Sequence, residues 1–271
     1  MSITLNGTTG ITTPALDSSG PLTSLGIDDN ATSTAITIDA SNNVGIGTSS
    51  PSGYDSRANN LVVGDAGDAG ITIFSGATSN ARLQFAPSGS TGLDNGLIGY
   101  DNSNDLMVFA TGGSDRMRID SIGAVTMPYQ PAFSVNNAPT TQANIAINTV
   151  VTITWAGERF DQNADFDLGA NSFTAPVTGK YQFNLVIRLQ SVDIDADFYI
   201  ISIVTSNVQY KYIFDPVFAS DPVYFSVNLS VLADLDASDT AYTTIYQGGG
   251  AAQTDIAGDA AYTYFTGYLV A

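Results

Sequence analysis

The sequence predicts an all-β chain, with a first stretch of short strands and a second that forms a two-sheet antiparallel sandwich. Three observations carry this. Glu occurs once, at Glu158, and Lys twice, at Lys180 and Lys211, so the straight-chain residues that cover exposed helix surfaces are almost missing. Thr, Val, Ile, Tyr and Phe are plentiful and are separated by short clusters of Gly, Asn, Asp and Ser, the vocabulary of strands and tight turns. From Tyr181 to Gln190 a large apolar residue stands at every second position and the residues between are mostly polar, the period of a strand with one face in a core.

Taken in order, residues 1–34 read as a flexible or attaching segment. No Lys or Arg precedes an apolar core between Met1 and Gly10, so a secretory signal is not expected. Short strands follow at Ala35 to Asp39, Leu61 to Val63, Gly70 to Ser75, Ala81 to Ala86, Gly96 to Tyr100, Leu106 to Ala110 and Arg116 to Asp120. Each is about three to six residues long, which leaves little core per strand. Ile38-Asp39-Ala40-Ser41-Asn42-Asn43-Val44-Gly45-Ile46 lines up with Ile119-Asp120-Ser121-Ile122-Gly123-Ala124-Val125-Thr126-Met127. The shared unit would be a tight turn between two short strands; a chance likeness of two small-residue turns competes with it.

The texture changes near residue 130, which sets a boundary between a short-stranded region, 35–130, and a second domain, 131–271. Aromatics crowd into the second, including Trp155. Phe173 to Pro176, then Thr178-Gly179-Lys180, reads as strand, turn and new strand, with Gly179 supplying a backbone angle that larger residues resist. Tyr181, Phe183, Leu185, Ile187 and Leu189 point one way, and Gln182, Asn184, Val186, Arg188 and Gln190 the other. Phe225, Val227, Leu229 and Val231 repeat the pattern, which makes an antiparallel two-sheet sandwich. From Phe198 to Thr205 both faces are apolar: Tyr199, Ile201 and Ile203 on one, Phe198, Ile200 and Val204 on the other. A sandwich strand has one face in its own core, so the second needs a cover, either a loop of this chain or, preferably, another subunit. Tyr262, Tyr264 and Tyr268, opposite Phe265 and Leu269, raise the same expectation.

The chain has 271 residues, with 8 Lys and Arg against 26 Asp and Glu, a net charge of −18, and neither His nor Cys. Such a surface repels nucleic-acid phosphates and anionic lipid. Without Cys or His there is no disulfide framework, thiolate nucleophile or zinc ribbon, and the commonest general base is missing. No run of eighteen apolar residues is present, so no membrane insertion is expected. Oxygen ligands remain, and these suit calcium. Asp193, Asp195 and Asp197 alternate, which on a strand would aim the three carboxylates to one side as a calcium site. A solvated edge whose like charges prevent pairing between molecules is the preferred reading. Gly64-Asp65-Ala66-Gly67-Asp68-Ala69-Gly70 is either a second cation loop or a plain turn. No carboxylate pair stands out for glycoside hydrolysis, so the chain is not expected to be an enzyme.

Two resemblances add to this. Asn43-Val44-Gly45-Ile46-Gly47-Thr48-Ser49-Ser50-Pro51 and Asp115-Arg116-Met117-Arg118-Ile119-Asp120-Ser121 look like modules of tail-fibre and appendage proteins of bacterial viruses, over roughly residues 35–128. Trp155, Asp161, Phe166, Phe173 and Gly179 followed by Lys180-Tyr181-Gln182-Phe183 resemble the signature of the globular heads of complement subcomponent q and their tumour necrosis factor relatives, over 131–271. Together they imply a trimeric shaft and a jelly roll packed about a threefold axis, with Phe198, Ile200, Val204, Tyr262, Tyr264 and Tyr268 as interface candidates. The expected function is a homotrimeric tail fibre or receptor-binding protein of the virion. It would attach to tail or baseplate proteins through its first residues and touch a host-surface glycan or protein through distal loops, Tyr210 to Tyr224 and Gly248 to Ala261. Tyr210, Tyr212, Phe214 and Tyr224 are the receptor-binding candidates, with core packing as the alternative for the first three. The alternative function is a structural virion component, a capsid decoration or collar fibre, without a receptor.

Overall fold

The structure is a computed structural model and describes residues 35–64, 66–89 and 95–271. The expected attaching segment 1–34, and Asp65 of the glycine-rich loop, lie outside the described residues. The chain divides into two compact units between Phe74 and Ser75.

In the first unit, β1 (Ile36–Ile38), β2 (Val44–Ile46) and β3 (Leu61–Val63) form one sheet; β1 and β2 are antiparallel, β2 and β3 parallel. Asp39 builds the β1–β2 turn. Its N–H donates to the Asn43 carbonyl, its carbonyl accepts the Asn42 N–H, and its carboxylate accepts the N–H groups of Ser41 and Asn43. Asp120 makes the same four bonds in the second unit, to Ala124, Gly123, Ile122 and Ala124 again. Asn42 and Gly123 both take positive φ, so the alignment seen in the sequence is one turn used twice. The expected strand Gly70–Ser75 does not form: Ile71, Ile73 and Phe74 are exposed, and among the described residues no strand pairs with them. Strand-forming residues alone do not make a strand without a ladder partner.

The second unit opens with a meander of β4 (Asn80–Phe85), β5 (Gly96–Asp101), β6 (Leu106–Thr111), β7 (Ser114–Ile119) and β8 (Val125–Thr126), paired in that order. Its register puts Leu83, Ile98, Phe109 and Met117 in one row, and Ala81, Tyr100, Met107, Ile119 and Val125 in the next row on the same face. Arg82, Asp101, Asp115 and Arg118 lie on the other face.

The sandwich follows, with β9 (Ala132–Asn136), β10 (Val150–Thr152), β11 (Gly157–Asp161), β12 (Phe166–Asp167), β13 (Ser172–Thr174), β14 (Gly179–Gln190), β15 (Ala196–Thr205), β16 (Gln209–Phe214), β17 (Tyr224–Leu235), β18 (Thr240–Gly249), β19 (Asp255–Ile256) and β20 (Tyr264–Leu269). One sheet runs β11-β9-β20-β14-β17, the other β12-β13-β18-β15-β16. From β13 to β18 the chain changes sheet at every connection except the β15–β16 hairpin, which is jelly-roll winding. The expected alternation of β14 holds, with Tyr181, Phe183, Leu185, Ile187 and Leu189 all buried.

Between the sheets Phe133 packs 4.9 Å from Phe166, 5.1 Å from Phe173 and 5.2 Å from Phe265, while Trp155 stacks 6.0 Å from Phe265. Full burial of each such side chain contributes about 1.5–3 kcal/mol. Gly179 has another role than the one expected. A Cβ there would lie 2.6 Å from Leu269 Cδ1 and 2.7 Å from the Ala271 carbonyl oxygen, so close approach to the C-terminal strand requires glycine. Among the described residues no helix is long and apolar enough to cross a membrane.

Candidate functional site

The sandwich is entered at Ala132, and the loops 191–195, 215–223 and 250–263 gather at its opposite end, beyond the last residues of β14, β16 and β18. Their shape is fixed from within. Asp193 is buried beneath them; its Oδ2 accepts the Ala251 and Ala252 N–H groups at 2.6 and 2.8 Å, and its Oδ1 accepts the Asp195 N–H at 2.9 Å. Burial pushes this carboxyl up, but the Ala252, Asp195 and Ala251 donors together hold it below the usual carboxylate range.

Further fasteners surround it. The Tyr199 hydroxyl, which burial pushes to a raised pKa, accepts the Asp193 N–H at 3.0 Å and lies 2.7 Å from Thr254 Oγ1. Gln247 accepts the Thr254 N–H and donates to the Ala252 carbonyl. Asp221 accepts the Ile194 N–H, tying the 215–223 loop to its neighbour. Gly249 and Gly250 both take positive φ, and a Cβ on either would press on the Asp197 or the Asp193 carboxylate.

On this frame sits an aromatic cluster. The Arg188 guanidinium lies between the rings of Tyr224 and Tyr262, 4.7 and 4.6 Å from their centroids, and its Nη2 pairs with Asp259 at 3.2 Å. Both rings keep about half their surface in water, at 56% and 52%. Alongside, Asp215-Pro216-Val217-Phe218 and Asp221-Pro222-Val223-Tyr224 repeat one phrase across the loop. Val217 stands 88% exposed, and Val223 is also exposed. Proline fixes φ, and the Asp215 and Pro216 carbonyls accept the Val217 and Phe218 N–H groups, so these side chains are displayed from a stiff backbone. Such an arrangement of open apolar and aromatic surface on immobilised loops can bind; the Asp193 and Asp221 carboxylates hold backbone N–H groups, and Asp259 pairs with Arg188.

The structure distributes the sequence candidates as follows. Tyr224 joins the cluster. Tyr210, Tyr212 and Phe214 are not on a loop; they form β16 and point toward the core side, where Phe214 stacks 5.0 Å from Tyr199. Tyr210 and Phe214 pack against the core, while Tyr212 stays exposed at its edge. Asp193, Asp195 and Asp197 are not on one strand: a turn precedes β15, so the alternation that would converge them is absent, and Asp193 spends both oxygens on backbone. Among the described residues no three acidic side chains gather as a metal site.

The interface candidates split over the two sheets. Phe198, Ile200 and Val204 lie on the outer face of β15, with Phe198 stacked 5.9 Å from Tyr246 of β18. Tyr264 and Tyr268 lie on the outer face of β20 in the other sheet, and Tyr262 belongs to the distal cluster. Sequence reasoning passed over Arg188, which looked like an ordinary outward residue of β14, and over Asp259. The doubled Asp-Pro-Val-aromatic phrase was the available signal.

No protein-family model matches the chain, and no curated protein matches it. Among solved structures it is similar to the globular domain of zebrafish complement 1qA protein, at 19% identity and a TM-score of 0.39 over 52% of this chain and 98% of that one. It is also similar to murine APRIL, at 11% identity and a TM-score of 0.37 over 52% and 99%.

Proposed function

We propose that the chain is a homotrimeric receptor-binding fibre or tail-tip protein of a bacterial virus, whose distal loops contact a glycan or protein on the host surface. The observation that carries this is the distal cluster itself. Loops fastened by Asp193, Asp221 and Gln247 present Val217, Val223, Tyr224 and Tyr262 to solvent at the end remote from where the chain enters the sandwich. Loops on a rigid sandwich can change their exposed residues without cost to the core, which suits recognition of variable surfaces. The tail-fibre-like phrasing of residues 35–128 supports a shaft in that region, with 1–34 as the virion-attaching segment. The half-covered outer face of β15, with Phe198, Ile200 and Val204, supports contact between copies.

The test is competition. Purified chain added to host cells is expected to block adsorption of the virus, and Tyr224→Ala with Tyr262→Ala is expected to abolish the block while leaving the melting temperature within a few degrees. Decoration of isolated capsids by a chain that leaves adsorption untouched would instead establish the structural virion component.

A further inference from the structure

We infer that the β4–β8 sheet buries its apolar face against the same face of further copies of this chain. This rests on the proposed homotrimer and assigns it a surface. The meander is a single layer, and stable sheets cover an apolar face with a second layer. Among the described residues of the second unit no such layer lies over this one: Leu83 is 50% exposed, Phe85 54% and Val125 52%, with Ile98 and Tyr100 also open. These five side chains leave on the order of 500 Å² uncovered, given that an aromatic side chain carries about 150–250 Å². The half-covered Phe109 and Met117 of the same rows add to it. That reaches the largest apolar patches of ordinary monomers and approaches the roughly 800 Å² per partner of a standard interface.

Charge selects the occupant. No residue of the face's two rows is Asp, Glu, Lys or Arg; a carboxylate reaches it only at the β5–β6 turn, where Asp105 accepts the Tyr100 hydroxyl, whereas Arg82, Asp101, Asp115 and Arg118 all project from the opposite face. A charged partner would leave its charges unpaired here, while a copy of the same face is complementary to it. For chains of net charge −18, this is also a surface on which copies meet with few carboxylates brought together. The first unit repeats the design on its own: Ile36, Ile38, Ile46 and Leu61 are exposed on one side of the β1–β3 sheet, again with no charge among the strand residues.

The test uses the full chain in sedimentation velocity. Wild type is expected to sediment as an oligomer, Leu83→Asp/Ile98→Asp as a monomer with unchanged Trp155 emission, and Thr126→Asp, on the opposite face, as wild type. Because the aspartates can prevent folding, cysteine serves as a second probe in a chain that has none. Under mild oxidation Leu83→Cys and Phe85→Cys are expected to give covalently linked copies, and Thr126→Cys none. A monomeric wild type, or cysteines on this face that never cross-link, overturns the inference. If Ile200→Asp separates the copies and Leu83→Asp/Ile98→Asp does not, the inference falls while the receptor-binding reading stands. Blocking of adsorption by a monomeric variant keeps both.

Discussion

Asp193 lies almost wholly out of water, yet it holds three backbone N–H groups of two loops. Hydrogen bonds to a buried charge contribute about 1.5–3 kcal/mol each, so Asp193→Asn, which turns one acceptor oxygen into a donor, is expected to cost about 2–3 kcal/mol at neutral pH. The pH dependence has a definite sign. The folded pKa lies below the unfolded value of about 3.9, so the stabilisation is complete above that value and is lost as pH falls through the folded pKa. Asp165 works the other way. Burial raises its pKa, Asp161 adding to the rise, so its ionisation costs stability as pH climbs. The wild-type curve mixes the two, and the difference between wild type and Asp193→Asn isolates one. Unfolding free energies at pH 7 and pH 3 should differ by the full gap at the first and by less at the second. A gap independent of pH would show that the carboxylate's charge is not what holds the loops. In the neighbouring cluster, Arg188→Ala removes two ring contacts and one ion pair. It is expected to cost about 1–2 kcal/mol and to free both rings, read as a loss of stability with weakened host binding.

β20 shows how tightly one element depends on another. A Cβ on Gly267 would run into the rings of Phe133 and Phe183, which close over the strand from either side. Gly267→Ala is therefore expected to destabilise by about 1–3 kcal/mol, read by chemical denaturation, although alanine is otherwise a mild replacement. Periodicity had already exposed the long strands: β14 and β17 appear with the predicted faces because burying one side of a strand forces alternation. Partnership is less visible. Residues 70–75 are as strand-like as residues 81–86, and only the latter find a neighbour. Likewise Tyr210, Tyr212 and Phe214, separated by Lys211 and Ile213, suit a displayed loop or an inward-facing strand, and pairing with β15 decided it. The distal site was half legible: Tyr224 and its loop were marked, but Arg188 acquires its meaning from Tyr262, 74 positions along the chain, through a contact that no local pattern records.

At the scale of the whole molecule, charge opposes assembly. A trimer carries three times −18, or −54, and at low ionic strength these charges repel across any threefold axis. The apolar face of the β4–β8 sheet reduces that cost by keeping most charge off the contact, but the rest of each surface stays acidic. Added salt shortens the screening distance from about 30 Å at 0.01 M to about 8 Å at 0.15 M, less than the separation of most charges on different copies. Assembly is therefore expected to strengthen with sodium chloride, read as a sedimentation boundary that shifts from monomer to oligomer and as a rising melting temperature. Calcium provides the control. Asp193, Asp195 and Asp197 do not converge within one chain, so calcium chloride at matched ionic strength is expected to act only as a screen, with no effect beyond that of the sodium salt. A larger shift at micromolar calcium would mean that carboxylates from different copies complete a site. A boundary indifferent to salt would mean that the copies meet where their charges are already paired, which the apolar rows of this face do not provide.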